Sequence, residues 1–508
     1  MSDPKAGLGS AALTALRQAA SRSAESVAAM ARMLPAPAQA RLRDVVSWLG
    51  RHRPAPPIED WCRPLIAASP GTAGSPDALR AATWPQLTGP PRPGKGAATS
   101  GRDLPVLRCL VVTSGLDAGG LPEVAAILAR RLPAHGLQTA LLDVTAEPSV
   151  SGQPASQLGR MLRSNGIDVH EANEGDAAGW IERWRPDVIS GHGALPSVLA
   201  IAGRARVPYV ETLHGMHHLF GTDWSAEAVR SSRLSVIVSV SELVRQQYLA
   251  GNRHFPADRI VTIPNGVDDE RRSGGDRAAA RALLGLTDEY LFVSLARHGL
   301  QKNTYGLVAA FGELARHRPE AHLLVAGRVG DVRYYRQVLR LRQSLPCRER
   351  VHLRDHLAAP AELLAAADGF VLDSFFEGWA LAPMEALFAG VPVVLSDVGG
   401  AREQIGDDPA RGYLVANPLG DPLSVDWESI AAVRYRPQAN RDEFTAAMER
   451  LVAGREDYLR DRGRLAAEAA ARFDARRCIA RHAAVLRAAA TGADLPGGDE
   501  VDAAQSTP

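Results

Sequence analysis

Residues 370–403, FVLDSFFEGWALAPMEALFAGVPVVLSDVGGARE, constrain the fold more than any other stretch. Phe370-Val371-Leu372 is an apolar run with the length of a buried strand. A polar loop carrying Glu377 and Gly378 follows. Pro383 suits the opening of a short helix, because its missing N–H is not needed in the first turn. Gly390 closes that helix, and residues 391–395 (VPVVL) form a second buried strand. A strand, loop, helix and strand in this order make one crossover of a parallel sheet. Seven residues separate Glu377 from Glu385, which this reading places in the helix's first turn. Open α/β sheets bind ligands beyond the carboxyl ends of their strands, where this loop lies. The stretch is therefore the candidate grip for an activated, phosphorylated donor.

The same alternation runs through most of the chain. Strands are expected at 106–113, 138–143, 166–169, 186–189, 207–213, 234–240 and 260–263. Helices fall between them, among them one from Leu121 with Pro122 and Glu123 in its first turn. Ser241 with Glu242 reads as a helix cap followed by an acid that favours the helix dipole. The polar, glycine-containing stretch 271–280 reads as a hinge. A second series places strands at 290–297, 322–327 and 351–353, a helix from Asn303 or Thr304 to about His317, and another helix at 361–367. Residues 416–440 read as an irregular insertion, 441–472 as one long helix, Phe473-Asp474 as a break, and 475–490 as the helix resumed. The fold class is α/β, with two Rossmann-like doubly wound domains at 105–272 and 281–463 facing a cleft.

The flanks differ in kind. Residues 1–66 are Ala-rich and read as a helical extension. Its second segment, 40–53, sets Leu42, Val45, Val46, Trp48 and Leu49 among Arg41, Arg43, Arg51 and Arg53. Such a stripe is more often packed on the main body, or on a partner, than laid on an anionic membrane. Residues 67–104 are rich in Pro, Gly, Ser and Ala and read as a flexible linker. Residues 491–508 read as a disordered tail.

Composition excludes several classes. The chain has 508 residues, enough for more than one domain, and a formal net charge of +1, so no global field points to nucleic acid. Its four cysteines are scattered without metal-ligand spacing, which fits a reducing, cytoplasmic compartment. Heavy use of Ala and Arg fits a GC-rich bacterial genome. No apolar run reaches the roughly 18 residues of a membrane-spanning helix, and the N-terminus lacks a secretory pattern.

Four constellations carry chemistry. Arg297 ends a strand and Lys302 lies five residues on, before a helix N-terminus. Two cations beside a positive helix end can hold a diphosphate and neutralise it as a leaving group without a metal. They also read, blandly, as solvated surface charges. Glu377 and Glu385 are suited to accept hydrogen bonds from sugar hydroxyls, although Glu385 also reads, blandly, as an acid that favours the helix dipole, while Gly378, Trp379, Ala380 and Leu381 offer backbone N–H groups to an anion. Gly119-Gly120 after the first strand lets the backbone approach a phosphate, or makes a plain turn. It is not a G-x-G-x-x-G fingerprint, so a nicotinamide or flavin is not indicated. His192 and His214 each fall at a strand end on one edge, where a histidine bonds substrate or moves a proton. His217 and His218 have no carboxylate pair at metal-ligand spacing, and the chain has no D-x-D clamp.

Taken in order, these pieces resemble the retaining glycosyltransferases of family 4, which have the two-domain GT-B fold. The match spans about 106 to 485. It comprises Gly119-Gly120, PDVISGH ending at His192, VPYVETLHG with His214, VSVSE at 238–242, IPNGVD at 263–268, Arg297 with Lys302, and EGWALAPME at 377–385 followed by AGVPVV and Gly399-Gly400. The resemblance implies that Glu377 holds donor-sugar hydroxyls, Glu385 the ribose, Arg297 and Lys302 the diphosphate, and Gly120 the phosphate and sugar. His214 is implied beside the reacting carbon. It further implies front-face attack with retention, with the departing phosphate helping to take the acceptor proton. Residues 464–490 are implied to return as a final helix to the first domain. Ala380 stands where the family often has glycine, and Asp355 where it often has glycine near the base. Donor choice is therefore expected at Trp379 and Ala380.

The implied activity is transfer of a sugar from a UDP- or GDP-linked donor to a glycan, lipid-linked or small-molecule acceptor. No further cofactor and no metal is implied, and 1–66 is the candidate peripheral contact with the inner face of the membrane. Two other readings are a non-catalytic scaffold of the same fold within a glycan-assembly complex and a nucleotide-sugar epimerase. The intact Arg297, Lys302, Glu377 and Glu385 argue against the first, and the E-x7-E spacing against the second.

Overall fold

The computed structural model describes residues 106–116, 120–145, 157–193, 196–267, 275–355 and 360–496. The helical extension, the linker, Gly119 and most of the tail lie outside these residues. Among the described residues, thirteen strands form two all-parallel sheets. The first holds β1 (Leu107–Thr113), β2 (Leu137–Thr145), β3 (Asp168–Asn173), β4 (Val188–His192), β5 (Tyr209–Leu213), β6 (Val236–Ser239) and β7 (Ile260–Thr262). Its order is β3-β2-β1-β4-β5-β6-β7. The second holds β8 (Tyr290–Leu295), β9 (Ala321–Ala326), β10 (Val351–Arg354), β11 (Gly369–Leu372), β12 (Val393–Ser396) and β13 (Gly412–Val415). Its order is β10-β9-β8-β11-β12-β13. In both sheets the order reverses at the first strand, which opens a crevice at the strand ends.

Apolar runs make these strands because both faces of each sheet are covered. In β1, Leu110 and Val112 enter one core cluster, while Cys109 and Val111 enter another on the opposite face. In β8, Leu291 and Val293 face one cluster, and Tyr290 and Phe292 the other. This is the period of two expected of a strand. Each such aliphatic side chain contributes about 1.5–3 kcal/mol by leaving water.

Several boundaries move from the sequence expectations. The helix of the 370–403 unit is Leu381–Phe388, with Ala380 as its N-cap, so Pro383 is its third residue rather than its first. Proline is tolerated there because the first N–H groups of a helix have no partner within it. Glu385 consequently lies in the second turn. Gly390 does end the helix, in the left-handed conformation at φ 68. There a Cβ would overlap Arg462 of a neighbouring helix. The long helix expected at 441–472 is two helices, Arg441–Ala453 and Arg455–Arg472, broken at Gly454. The insertion 416–440 is not all irregular, since Trp427–Val433 is a helix started by an Asp426–Ser429 capping box.

The hinge is shorter than its composition implies. Residues 271–274 lie outside the described residues, but Asp276 caps a helix at Arg277–Leu283. Arg277 and Arg281 from this helix and Arg455 from a later one all pair with the buried Asp368, at 2.5, 3.0 and 3.1 Å. One carboxylate thus fastens the helix to the second domain, and 277–280 belongs to that domain's body.

The chain crosses back at Phe473–Asp474 rather than at 464. Leu465, Ala469 and Phe473 still pack in the second domain's core. Val267 and Ala475 then exchange backbone bonds with their neighbours: Val267 N–H donates to Phe473 O at 2.9 Å, and Ala475 N–H to Val267 O at 3.2 Å. The helix Ala475–Thr491 lays Cys478, Ile479, Ala483, Val485 and Leu486 on the same face as Cys109 and Val111.

Candidate active site

The cleft between the two sheets is crossed where the loops after β5 and β11 meet. Gly215 and Gly378 pair as an isolated antiparallel bridge, and Met216 N–H donates to Glu377 O at 3.3 Å. Two glycines make this approach feasible. A Cβ on Gly378 would overlap the His214 carbonyl oxygen, and a Cβ on Gly399 (φ 48) would overlap the Gly378 carbonyl oxygen. His214 is thereby fixed by its own backbone against the loop that carries Glu377.

The charged half of the site comes from the second domain. Glu377 is 6% exposed, and both its oxygens are engaged. Lys302 Nζ donates to Oε1 at 2.6 Å, as does Ser374 Oγ at 2.6 Å, while Gln301 Nε2 donates to Oε2 at 3.3 Å. Gln301 in turn accepts from Arg297 Nη2 at 3.3 Å. Arg297 itself is exposed. It also faces the first domain closely enough that its charge helps lower the His217 pKa, after burial and His218. Lys302, Gln301 and Arg297 thus form one strip beside Glu377.

Asn303 holds this strip in place. It adopts a left-handed backbone at φ 48, caps the helix Thr304–Leu314 through Gly306 N–H, and donates Nδ2 to Asp373 Oδ2 at 2.8 Å. Asn440 Nδ2 donates to the other Asp373 oxygen at 2.7 Å. Burial pushes the Asp373 carboxyl up to about 8, against the pull of these two amides. The network ties the β11 loop, the Lys302 loop and the start of the helix Arg441–Ala453 together.

The other half of the site is neutral. His192 is the last residue of β4, and His214 directly follows β5. His192 Nδ1 meets His214 Nε2 at 2.8 Å, and His192 Nε2 meets Ser190 Oγ at 3.0 Å. Burial, then the neighbouring histidines, lowers the His214 pKa to about 3 and holds His192 well below its usual value. His482, from the helix Ala475–Thr491, is among those neighbours and is lowered to about 4, chiefly by burial. Near pH 7 this half carries no charge.

Not every sequence candidate converges. Gly120 begins the helix Gly120–Arg131 immediately after the β1 loop. Glu385 is half-buried, one turn beyond Leu381 on its helix. The ring of Trp379 turns away from the cleft. It is 6% exposed, its Nε1–H points at Met384 Sδ at 3.1 Å, and it lies edge-on to Phe473. Gly400 leaves the room it occupies. What Trp379 offers the cleft is therefore backbone. Ala380 accepts from Gln404 Nε2 at 2.7 Å through its carbonyl.

Sequence reasoning missed Ser374, Gln301, Asp373 and Ser190. Ser374 and Asp373 lie inside the opening stretch, and Gln301 sits between the two cations, so position alone was the available signal. It also missed Glu403, whose Oε1 accepts from Glu242 N–H at 2.7 Å and so places a second-domain carboxylate on a first-domain helix start. The insertion's Trp427 closes an aromatic triangle with Phe220 and Phe376 across the cleft, at 5.6 and 5.2 Å between ring centroids. Among the described residues no group of three or more His, Cys, Asp or Glu could hold a metal ion, and no helix is long and apolar enough to cross a membrane.

Comparison with known proteins covers both sheets. The sequence matches the family model Glycosyltransferase Family 4 over residues 118–271 and Glycosyl transferases group 1 over 276–429. It is 28% identical over 397 residues to the D-inositol 3-phosphate glycosyltransferase of Segniliparus rotundus, covering 69% of this chain and 87% of that protein. It is 27% identical over 290 residues to the glycogen synthase of Mycobacterium tuberculosis, covering 52% and 65%. The fold superposes on Anabaena HepE with a TM-score of 0.60 at 17% identity, over 75% of this chain and 99% of the other.

Proposed function

We propose that this chain, a GT-B glycosyltransferase of the family 4 kind, transfers a sugar from a nucleoside-diphosphate donor with retention at the anomeric carbon. The observation that carries the reading is the convergence at Glu377. Lys302 and Ser374 meet one carboxylate oxygen, and the next residue, Gly378, bridges to the residue after His214. Elements of both domains thereby surround one position.

The chemistry follows from the two halves. Lys302 and Arg297 take the diphosphate, so that the charge released on cleavage meets fixed cations rather than water. Glu377, held by three donors, turns remaining lone pairs to the sugar hydroxyls. Glu385 reaches the ribose, and the N–H groups of Gly378 to Leu381 add anion contacts at the helix start. Gly120 lies against the phosphate and sugar from the other side. The bond from the anomeric carbon to phosphate breaks, and the bond to the acceptor oxygen forms on the same face. The acceptor proton passes to the departing phosphate oxygen. No step needs a metal.

Anabaena HepE is a protein crystallised with UDP, which favours UDP over GDP as the first donor to test. The acceptor is a glycan, a lipid-linked sugar or a small molecule. On this reading the reaction runs in the cytoplasm, with 1–66 as the candidate segment for a peripheral contact with the membrane's inner face. The test is release of nucleoside diphosphate from a panel of UDP-, GDP- and ADP-sugars, with the product anomer read by NMR. An inverted product overturns retention. No release from any donor in the wild type, with donor binding unchanged in Lys302→Ala and Glu377→Ala, overturns donor transfer at this site.

A further inference from the structure

The polarity of the His214 side chain is set by a buried chain of two other residues. His192 and Ser190 are fully buried, and His214 is half-buried. His192 Nδ1 faces His214 Nε2 at 2.8 Å and its Nε2 faces Ser190 Oγ at 3.0 Å. All three are neutral near pH 7, so each imidazole carries one N–H. Two arrangements then satisfy both contacts. In one, protons point from Ser190 towards His214; in the other, from His214 towards Ser190.

The hydroxyl decides between them. Among the described residues, His192 Nε2 is the only partner of Ser190 Oγ. If His192 Nε2 carried the proton, Ser190 would accept and its own O–H would be buried with nowhere to donate. A buried donor with no acceptor pays the full cost of its desolvation, whereas an oxygen with one lone pair unused is better tolerated. Ser190 O–H therefore donates to His192 Nε2, and His192 Nδ1–H donates to His214 Nε2. His214 is left with its proton on Nδ1, which has no protein partner among the described residues.

We infer that Ser190 and His192 are positioning residues that lock His214 as the Nδ1–H tautomer, making it a hydrogen-bond donor to an oxygen in the cleft and never a proton acceptor there. The oxygen it fits is a hydroxyl of the donor sugar or an oxygen of the leaving phosphate. This deepens the role the resemblance implies for His214, beside the reacting carbon, and rests on that residue facing the donor. It also leaves the acceptor's proton to the phosphate, since His214 has no free lone pair to take it.

Two substitutions at His192 separate donation from mere filling of space. The Nδ2–H of Asn in His192→Asn can still donate to His214 Nε2. The carboxylate of Asp in His192→Asp can only accept, which draws the His214 proton onto Nε2 and turns Nδ1 into an acceptor. The experiment records imidazole 15N shifts of the full chain labelled at histidine, with His214 assigned by its loss in His214→Gln, alongside donor KM and kcat. The inference expects Nδ1–H at His214 in the wild type and in His192→Asn, and Nε2–H in His192→Asp. Donor KM should stay within about threefold in His192→Asn and rise on the order of tenfold in His192→Asp, the scale of one lost hydrogen bond. An Nε2–H tautomer in the wild type, or identical His214 shifts in His192→Asn and His192→Asp, overturns the lock. The predicted tautomers with unchanged donor KM in both variants uphold the lock and overturn instead the placing of His214 against the donor.

Discussion

The two walls of the cleft solve one problem with opposite chemistry. The second-domain wall is charged, with Lys302, Arg297 and Glu377 on loops that Asn303 and Asp373 brace from below. The first-domain wall is neutral, with histidines whose burial keeps them unprotonated. A diphosphate needs fixed positive charge. The reacting sugar, which develops positive charge at its anomeric carbon, is poorly served by a cation beside it. On the proposed reading, placing the charges on one wall and the neutral donors on the other serves both ends of the donor.

The largest break in this comparison should come from Lys302→Met. It removes the cation proposed to meet the phosphate and strips Glu377 of a partner in a nearly water-free place. Donor turnover should fall by about 10²–10³, the scale of losing one preorganised electrostatic contact. Nucleoside diphosphate release measures it, and a loss under threefold would show that the charged wall does not bear on catalysis. Gly378→Ala attacks the seam between the walls. Its Cβ must displace the His214 carbonyl, so both walls shift, and kcat/KM should drop by about 10²-fold, since a misplacement near 1 Å costs on that order. A variant as active as the wild type would mean the seam is not present during turnover.

Acid should separate the walls in stability. His482 is lowered to about 4 in the fold, against 6.5 unfolded. A depressed histidine contributes stability that is complete above pH 6.5 and is lost as pH falls towards the folded value. Between pH 7 and pH 5 this one residue should withdraw about 2 kcal/mol, from 1.36 kcal/mol per unit. His214, lowered to about 3, adds in the same direction. Denaturant midpoints over that range should fall more steeply for the wild type than for His482→Leu, and parallel curves would falsify the neutral account of the first wall. The smallest effect is expected at Trp379→Phe. The ring is core, so stability should fall by about 1 kcal/mol while relative kcat/KM across the donor panel stays within twofold. A change in donor preference would return that ring to the cleft.

The alternation of strands and helices was legible because a buried parallel strand and its covering helix each leave a local signature. Phe370-Val371-Leu372 needed no partner to be recognised, and Gly390 marked its helix end because glycine adopts that φ most readily. The boundary errors are equally local in cause. Pro383 is acceptable at any of the first helical positions, so it could not fix the helix start. The Gly in Arg277's neighbourhood read as a hinge because Asp368, which fastens that helix, lies far along the chain.

The sequence by itself determined the two sheets, the loops that face one another, and the residue types that could hold a diphosphate. Only the tertiary structure decided what those residues do to each other. Lys302 finds Glu377 across 75 positions, and His192 finds His214 across 22. Trp379 turns inward because Gly400 and Phe473 leave it a place there. Strand and helix periodicity are properties of neighbours in the chain. The direction of a polar side chain, and which of its nitrogens carries the proton, depend on what packing brings against it from elsewhere.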